Sequence, residues 1–204
     1  MPPASHDFRY PAVVLVDLQN AFFRKPPLAG MKPGIVGNCN RLLQAARARH
    51  APIFNVRTEH KADRSTWTLK MLEDGQGYLF EGTREAANLP ELHLEGGIEI
   101  IKRRDSAFWN TELATQLLQH RVTSLVIAGV SSQTCVAATA SDAFSANLCV
   151  AVAKDAIASD DPDFEDRTLK FLHEQHRQLV ADTAYLVDLI ATANHPPSQR
   201  KDTP

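Results

Sequence analysis

A cysteine stands where a buried strand hands over to a helix in the stretch S-L-V-I-A-G-V-S-S-Q-T-C-V-A-A-T-A-S-D, residues 124–142. Leu125, Val126, Ile127 and Ala128 form the continuous apolar run of a strand buried on both faces, and Gly129 is expected to stop it. Ser131 or Ser132 can cap the small-residue helix that follows, which puts Cys135 in its first turn. There the unpaired N–H groups and the positive end of the helix dipole favour a thiolate, moving the thiol down from roughly 8.5, and the same N–H groups could hold an oxyanion. The other reading of Cys135 is a buried thiol packing as a small hydrophobe.

Two more ionisable groups end apolar runs: Asp17 after residues 12–16 and Lys102 after residues 98–101. In open α/β sheets the carboxyl ends of strands are where ligands bind, although a carboxylate there can equally be a helix cap or a loop residue. A cysteine nucleophile needs a base for its proton and a neighbour that favours its charged form, so Asp17 reads as the base and Lys102 as the tuning cation. Histidine is the more usual partner of a catalytic cysteine. Of the eight present, His50, His93, His120, His173, His176 and His195 fall in helices, helix ends or loops as solvated residues, while His60 comes close after the second strand.

The elements that must position these groups alternate. Strand 12–16 precedes a helix with Pro33 near its start and Ile35, Val36, Cys39, Leu42, Leu43 and Ala46 at helical spacing, ending near His50. Strand 52–56 delivers Arg57 to the same rim. Residues 58–97 are irregular, with a short helix expected within 65–73, and so long a connection is usually functional. Strand 98–101, a helix capped by Asn110 through Leu113, Leu117 and Leu118, and strand 125–128 come next. After the Cys135 helix, strand 148–152 ends at Lys154 and Asp155, and helix 162–176, strand 178–181 and helix 183–193 close the chain. Residues 1–10 are a polar lead-in and 194–204 a polar tail expected to fray. Six strands alternating with helices predict an α/β fold with a parallel sheet covered on both faces, one domain over residues 1–204.

Composition narrows the function. At 204 residues, 44% hydrophobic and 23% charged, with net charge −2, the chain offers no basic field for nucleic acid. No apolar stretch approaches the roughly 18 residues of a membrane span, and residues 1–9 lack the apolar core of a signal peptide, so a cytoplasmic protein is expected. Cys39, Cys135 and Cys149 are an odd set without C-x-x-C spacing, which argues against a disulfide framework and a zinc site, and Cys39 and Cys149 read as core. The loop after the first strand reads Asp17-Leu18-Gln19-Asn20-Ala21 in place of G-x-G-x-x-G, and neither a phosphate-binding G-x-x-x-x-G-K-[ST] nor a G-x-S-x-G elbow occurs.

In its motifs the chain resembles the isochorismatase-like cysteine hydrolases. The residues concerned are V-V-L-V-D-L-Q-N-A-F ending at Phe22, Gly82-Thr83, Ile101-Lys102, Ser106-Ala107-Phe108-Trp109-Asn110-Thr111, Gly129-Val130-Ser131-Ser132-Gln133-Thr134-Cys135-Val136, Thr139-Ala140-Ser141-Asp142-Ala143 and Asp155-Ala156. The resemblance implies a Rossmann-like three-layer α/β/α fold with strand order 3-2-1-4-5-6, an Asp17, Lys102, Cys135 triad, a cis Val130-Ser131 peptide and an oxyanion hole from the N–H groups of Ser131 and Cys135. In that order the third strand lies two places from the first, about 10 Å at roughly 4.8 Å per strand, so Lys102 must lean across the sheet or its loop must turn inward.

The implied activity is hydrolysis of an amide, carbamoyl or ureido C–N bond of a small molecule through a thioester. The alternatives are isochorismatase-type vinyl-ether hydrolysis, which needs the acid but no thiol, and a binding or scaffold protein without turnover. No cofactor is expected. Nicotinamidase-like relatives carry Asp-x-His after the second strand plus further histidines, whereas Arg57-Thr58-Glu59-His60-Lys61 is too thin a set for a metal. The expected partners are a small-molecule substrate and further copies of the chain, as a dimer or tetramer, without nucleic acid or membrane. Gln19, Phe22, Phe23, Arg57, Trp67 and Trp109 are the substrate-binding candidates. Arg57 could pair bidentately with a substrate carboxylate, or else form a surface salt bridge, with Arg64 and Arg84 as substitutes; the aromatic residues could wall a slot or be plain core.

Overall fold

The computed structural model describes residues 8–194; the lead-in up to residue 7 and the tail from residue 195, His195 included, lie outside the described residues. One six-stranded sheet runs β3-β2-β1-β4-β5-β6, with every neighbouring pair parallel. Its strands are β1 (Pro11–Val16), β2 (Ile53–Thr58), β3 (Ile98–Lys102), β4 (Ser124–Val130), β5 (Cys149–Ala158) and β6 (Leu179–Ala181). The helices are α1 (Leu28–Ala48), α2 (Leu69–Asp74), α3 (Leu113–Gln119), α4 (Ala137–Ser145), α5 (Pro162–His176) and α6 (Thr183–Thr192).

Alternation along β1 divides the core into two layers. Val13 and Leu15 point into a cluster with Leu42, Leu43, Leu186 and Ile190 of α1 and α6. Ala12, Val14 and Val16 point into the opposite cluster with Leu113, Leu117, Ala140 and Leu172 of α3, α4 and α5. Successive strand side chains face opposite sides, so an unbroken apolar run is what a sheet covered on both faces requires.

Several boundaries differ from the sequence reading. Helix α1 begins at Leu28 and holds Pro33 in its interior. Leu28 is one heptad before Ile35 on the same buried stripe, and its burial carries the helix past a proline that removes one intrahelical donor. Helix α3 takes its side-chain cap from Thr111, whose hydroxyl accepts from Leu113 N–H at 3.2 Å, while Asn110 turns the chain at φ +52°. Strand β5 runs on past Lys154 and Asp155 because the register jumps from Ile127↔Val152 to Gly129↔Ile157. The pair marks a bulge, and there the Asp155 carboxylate accepts from both Thr183 N–H and its hydroxyl at 2.7 Å, fixing the start of α6.

Gly129 continues β4 instead of stopping it, and its lack of a side chain sets the spacing of the two central strands. At φ +130° a Cβ on Gly129 would stand 1.9 Å from the Val16 carbonyl oxygen, directly across the β1–β4 register. Gly129→Ala is therefore expected to lower unfolding free energy by about 3 kcal/mol or more, through backbone strain and forced strand separation. A urea unfolding midpoint within error of wild type would contradict this close approach.

Candidate active site

The carboxyl ends of β1, β2 and β3 and the turn after β4 converge on one buried polar cluster. Asp17 sits at φ +53°, with its N–H bonded to Val56 carbonyl at 2.8 Å and its side chain fully buried. A left-handed aspartate is uncommon and persists where the surroundings over-determine it. Thr58 at the end of β2 donates its hydroxyl to Asp17 Oδ1 at 2.9 Å and accepts from Lys102 Nζ at 2.7 Å. Lys102 is the register partner of Thr58 and leans across it, bringing Nζ to 2.8 Å from Asp17 Oδ2 and 3.3 Å from Cys135 Sγ. The Arg104 carbonyl, at 3.1 Å, is a further acceptor for the same ammonium.

This ammonium is 1% exposed. Burial works against its charge, but the Asp17 and Cys135 charges and hydrogen bonds outweigh burial and hold Lys102 above the ordinary lysine range.

Thr58 carries no mark of its own in the sequence, where the second strand is expected to end at Val56. Its signal is parity: Arg57 and Thr58 project to opposite faces, so a strand two residues longer presents the threonine to Asp17 and turns the arginine away. Gln19 fixes that threonine. Its amide donates to Thr58 carbonyl at 2.8 Å and Ala86 carbonyl at 2.7 Å, and its oxygen accepts from Thr58 N–H at 3.0 Å.

The Val130–Ser131 peptide is cis, and the chain then enters one π-helical turn, Ser132–Val136, before α4. Ser131 carbonyl accepts from the N–H groups of both Thr134 and Val136 at 3.2 Å, so Cys135 lies in a wider turn than the α-helical one anticipated. Helix α5 and the residues leading into it brace this turn: Ser132 hydroxyl donates to the Glu165 carboxylate in α5, and Gln133 donates to Asp160, just before it, at 3.3 Å.

Burial, aided by the Asp17 charge and opposed by Lys102, pushes the Cys135 thiol up to about 12. The helix start and the lysine were expected to lower it; desolvation of a half-buried sulfur beside a carboxylate is the stronger effect. Cys39, fully buried, is likewise pushed to about 12 by burial and then Asp155, whereas Cys149 is half-buried at the start of β5 and is not the core residue anticipated.

A raised acid pKa favours the protonated form up to that pKa, so Cys135 rests as a thiol beside an Asp17–Lys102 ion pair. Ultraviolet difference titration of wild type against Cys135→Ala is expected to show no thiolate step from pH 6 to about 9. A step near neutral pH would show a preformed thiolate and contradict this resting state.

The other substrate-binding candidates scatter. Arg57 donates Nε to Glu99 at 2.7 Å and Nη2 to the same carboxylate at 3.1 Å, and it also pairs with Glu59, so its fork is committed within the protein. Phe23 and Trp67 are buried, with the Trp67 indole donating to Lys61 carbonyl at 2.9 Å; Trp109 is 66% exposed. Phe22 lines a cleft of about 660 Å³ that runs past Ser131, Lys25 and Asp160. Of the long connection, His60 and Tyr78 come to the site: His60 is buried two residues beyond Thr58, with Tyr78 over its ring at 5.8 Å. Among the described residues no three His, Cys, Asp or Glu side chains converge as a metal site, and no helix is long and apolar enough to cross a membrane.

Comparison with known proteins places these features in context. The family described as Isochorismatase domain matches residues 11–184. A probable inactive nicotinamidase of Arabidopsis thaliana is 32% identical over 167 residues, 76% of this chain and 84% of that protein. The ureidoacrylate amidohydrolase RutB of Rhizobium rhizogenes is 28% identical over 179 residues, 75% of this chain and 72% of that one. Among solved structures, an isochorismatase family protein from Desulfovibrio vulgaris superposes with TM-score 0.78 at 28% identity, covering 90% of this chain and 99% of that one.

Proposed function

We propose, from the premise that this chain belongs to the isochorismatase-like cysteine hydrolase family, that it hydrolyses a small amide, carbamoyl or ureido compound through a Cys135 thioester. One observation carries the reading: a single buried ammonium, Lys102 Nζ, lies 2.8 Å from the Asp17 carboxylate and 3.3 Å from Cys135 Sγ. A thiol joined through one ammonium to a carboxylate has a base at hand.

In the first half-reaction the Cys135 proton passes to Asp17 as Sγ attacks the carbonyl carbon and the carbonyl electron pair moves to oxygen. The backbone N–H groups of Ser131 and Cys135 receive that oxyanion, and Lys102 balances the charge passing between sulfur and Asp17. Collapse breaks the C–N bond, with the proton on Asp17 going to nitrogen, and ammonia or an amine leaves a thioester. Water then gives a proton to Asp17 while attacking the thioester. The C–S bond breaks, the acid departs, and the proton returns to sulfur.

The substrate is a small carbonyl–nitrogen compound carrying a carboxylate or second carbonyl. Ammonia release from a panel of carbamoyl acids, ureido acids, diacid monoamides and nicotinamide tests this. Turnover of the acids ahead of nicotinamide supports it, and turnover of none refutes C–N hydrolysis. Vinyl-ether hydrolysis needs no thiol, so the contact between Lys102 and Cys135 favours the C–N reading.

A further inference from the structure

We propose that Tyr78 is the substrate-recognition residue of this site, its phenol O–H donating a hydrogen bond to the carboxylate at the substrate end remote from the scissile C–N bond. The inference rests on the C–N hydrolase reading and adds which group grips the substrate.

Tyr78 is 47% exposed, yet the residues around it are built tightly. Gly77 leaves no room for a side chain: a Cβ there would stand 2.3 Å from the Trp67 ring and 2.5 Å from Phe80. Leu79 is buried at φ +53°, and its carbonyl accepts from His60 N–H at 2.8 Å, while His60 carbonyl accepts from Glu81 N–H at 3.0 Å. Residues 77–81 are thus pinned to His60, two residues beyond the threonine that joins Asp17 to Lys102. A large aromatic ring is presented to solvent from a rigid mount, with its hydroxyl unpartnered among the described residues. The ordinary tendency is for a tyrosine ring to be buried and its O–H satisfied.

The surroundings select the ligand. The phenol titrates above the ordinary tyrosine range, through burial first and then the charges of Cys135, Asp105 and Asp17 outweighing Lys102, so at neutral pH it is a donor. Beneath it His60 bonds through Nδ1 to Thr66 carbonyl at 3.0 Å, which puts its proton on that nitrogen. Burial and the charges of Arg103, Arg104 and Lys102 hold His60 below the ordinary histidine range, so the ring is neutral. The ammonium of Lys102 is matched by Asp17, but among the described residues the exposed Arg104 donates only to the Thr66 and Arg103 carbonyls and has no carboxylate partner. A neutral O–H donor, mounted over a ring on which Arg103, Arg104 and Lys102 act, suits a carboxylate acceptor. Arg57, the alternative grip, already spends its fork on Glu99 and Glu59.

Tyr78→Phe keeps the ring and removes the hydroxyl. Steady-state kinetics on the full chain would compare a ureido or carbamoyl acid with its methyl ester. The expected result is a KM for the acid raised about ten- to hundredfold relative to the ester, with kcat little altered, as for loss of a hydrogen bond to a charged group. Equal changes for acid and ester, or none, overturn the assignment. An acid-selective loss in Lys25→Gln with none in Tyr78→Phe also overturns it, moving the grip to the cleft beside Ser131. If the wild type turns over neither compound, the C–N reading falls by itself. Calorimetric binding of the acid to Cys135→Ala with and without Tyr78→Phe then decides: at least tenfold weaker binding without the hydroxyl supports the inference, and equal or undetectable binding overturns it.

Discussion

Cys135→Ala is expected to reduce amide turnover to the solution background while leaving the fold intact. The thiol is the proposed acyl carrier, and alanine fills less space than cysteine in a half-buried turn. The ammonium of Lys102, which loses its 3.3 Å contact with sulfur, keeps Asp17, Thr58 and the Arg104 carbonyl. Removing a nucleophile whose attack splits one difficult step into two typically costs several orders of magnitude, and residual rate comes from the remaining oxyanion donors and binding. Mass spectrometry of wild type quenched during turnover should show an acyl adduct on the tryptic peptide containing Cys135 and on no other. Retained activity in Cys135→Ala above about one per cent would remove the thioester from the mechanism and bring back the vinyl-ether reading.

Much of this site could be anticipated because its groups end apolar runs. Residues 12–16 and 125–128 can bury only between two helical layers, and that alone puts Asp17 and the Cys135 turn at the same edge of a parallel sheet. The position of Lys102 needed the strand order, and its path over Thr58 needed the β2–β3 register, which no local pattern encodes. Between the two readings of Arg57 the salt bridge is the one seen, because β2 runs on to Thr58 and holds Arg57 beside Glu99 and Glu59. The Cys135 ionisation went astray because a helix terminus is visible in sequence and desolvation is not. His60 was visible close after the second strand, but Tyr78 was hidden in the irregular 58–97 segment, where contacts such as Gly77 against Trp67 and Phe80 join residues without any periodicity to reveal them.

Asp17→Asn is expected to lose both rate and stability, and the two losses can be separated. A neutral amide cannot take the thiol proton, so kcat/KM should fall by about 10²–10⁴-fold. The structural cost comes from Lys102: with 1% exposure its ammonium would keep Thr58 and the Arg104 carbonyl but lose the carboxylate 2.8 Å away. Breaking one side of a buried ion pair commonly costs about 3–5 kcal/mol, because an uncompensated charge remains. Lysine titration gives the sign of the pH effect. Asp17 helps to hold Lys102 above its ordinary range, so in Asp17→Asn burial dominates and the folded-state lysine pKa drops. A lysine that is neutral in the fold and charged when unfolded disfavours folding at pH values below its unfolded pKa, and Asp17→Asn should regain stability as pH rises toward about 10. Adding Lys102→Met removes the stranded charge and should restore much of the unfolding free energy at neutral pH without restoring turnover. Urea unfolding of the wild type, both single variants and the double variant closes the cycle. If Asp17→Asn were as stable as wild type at pH 7, or if the double variant recovered activity, the buried pair would not be the proton-handling unit of this site.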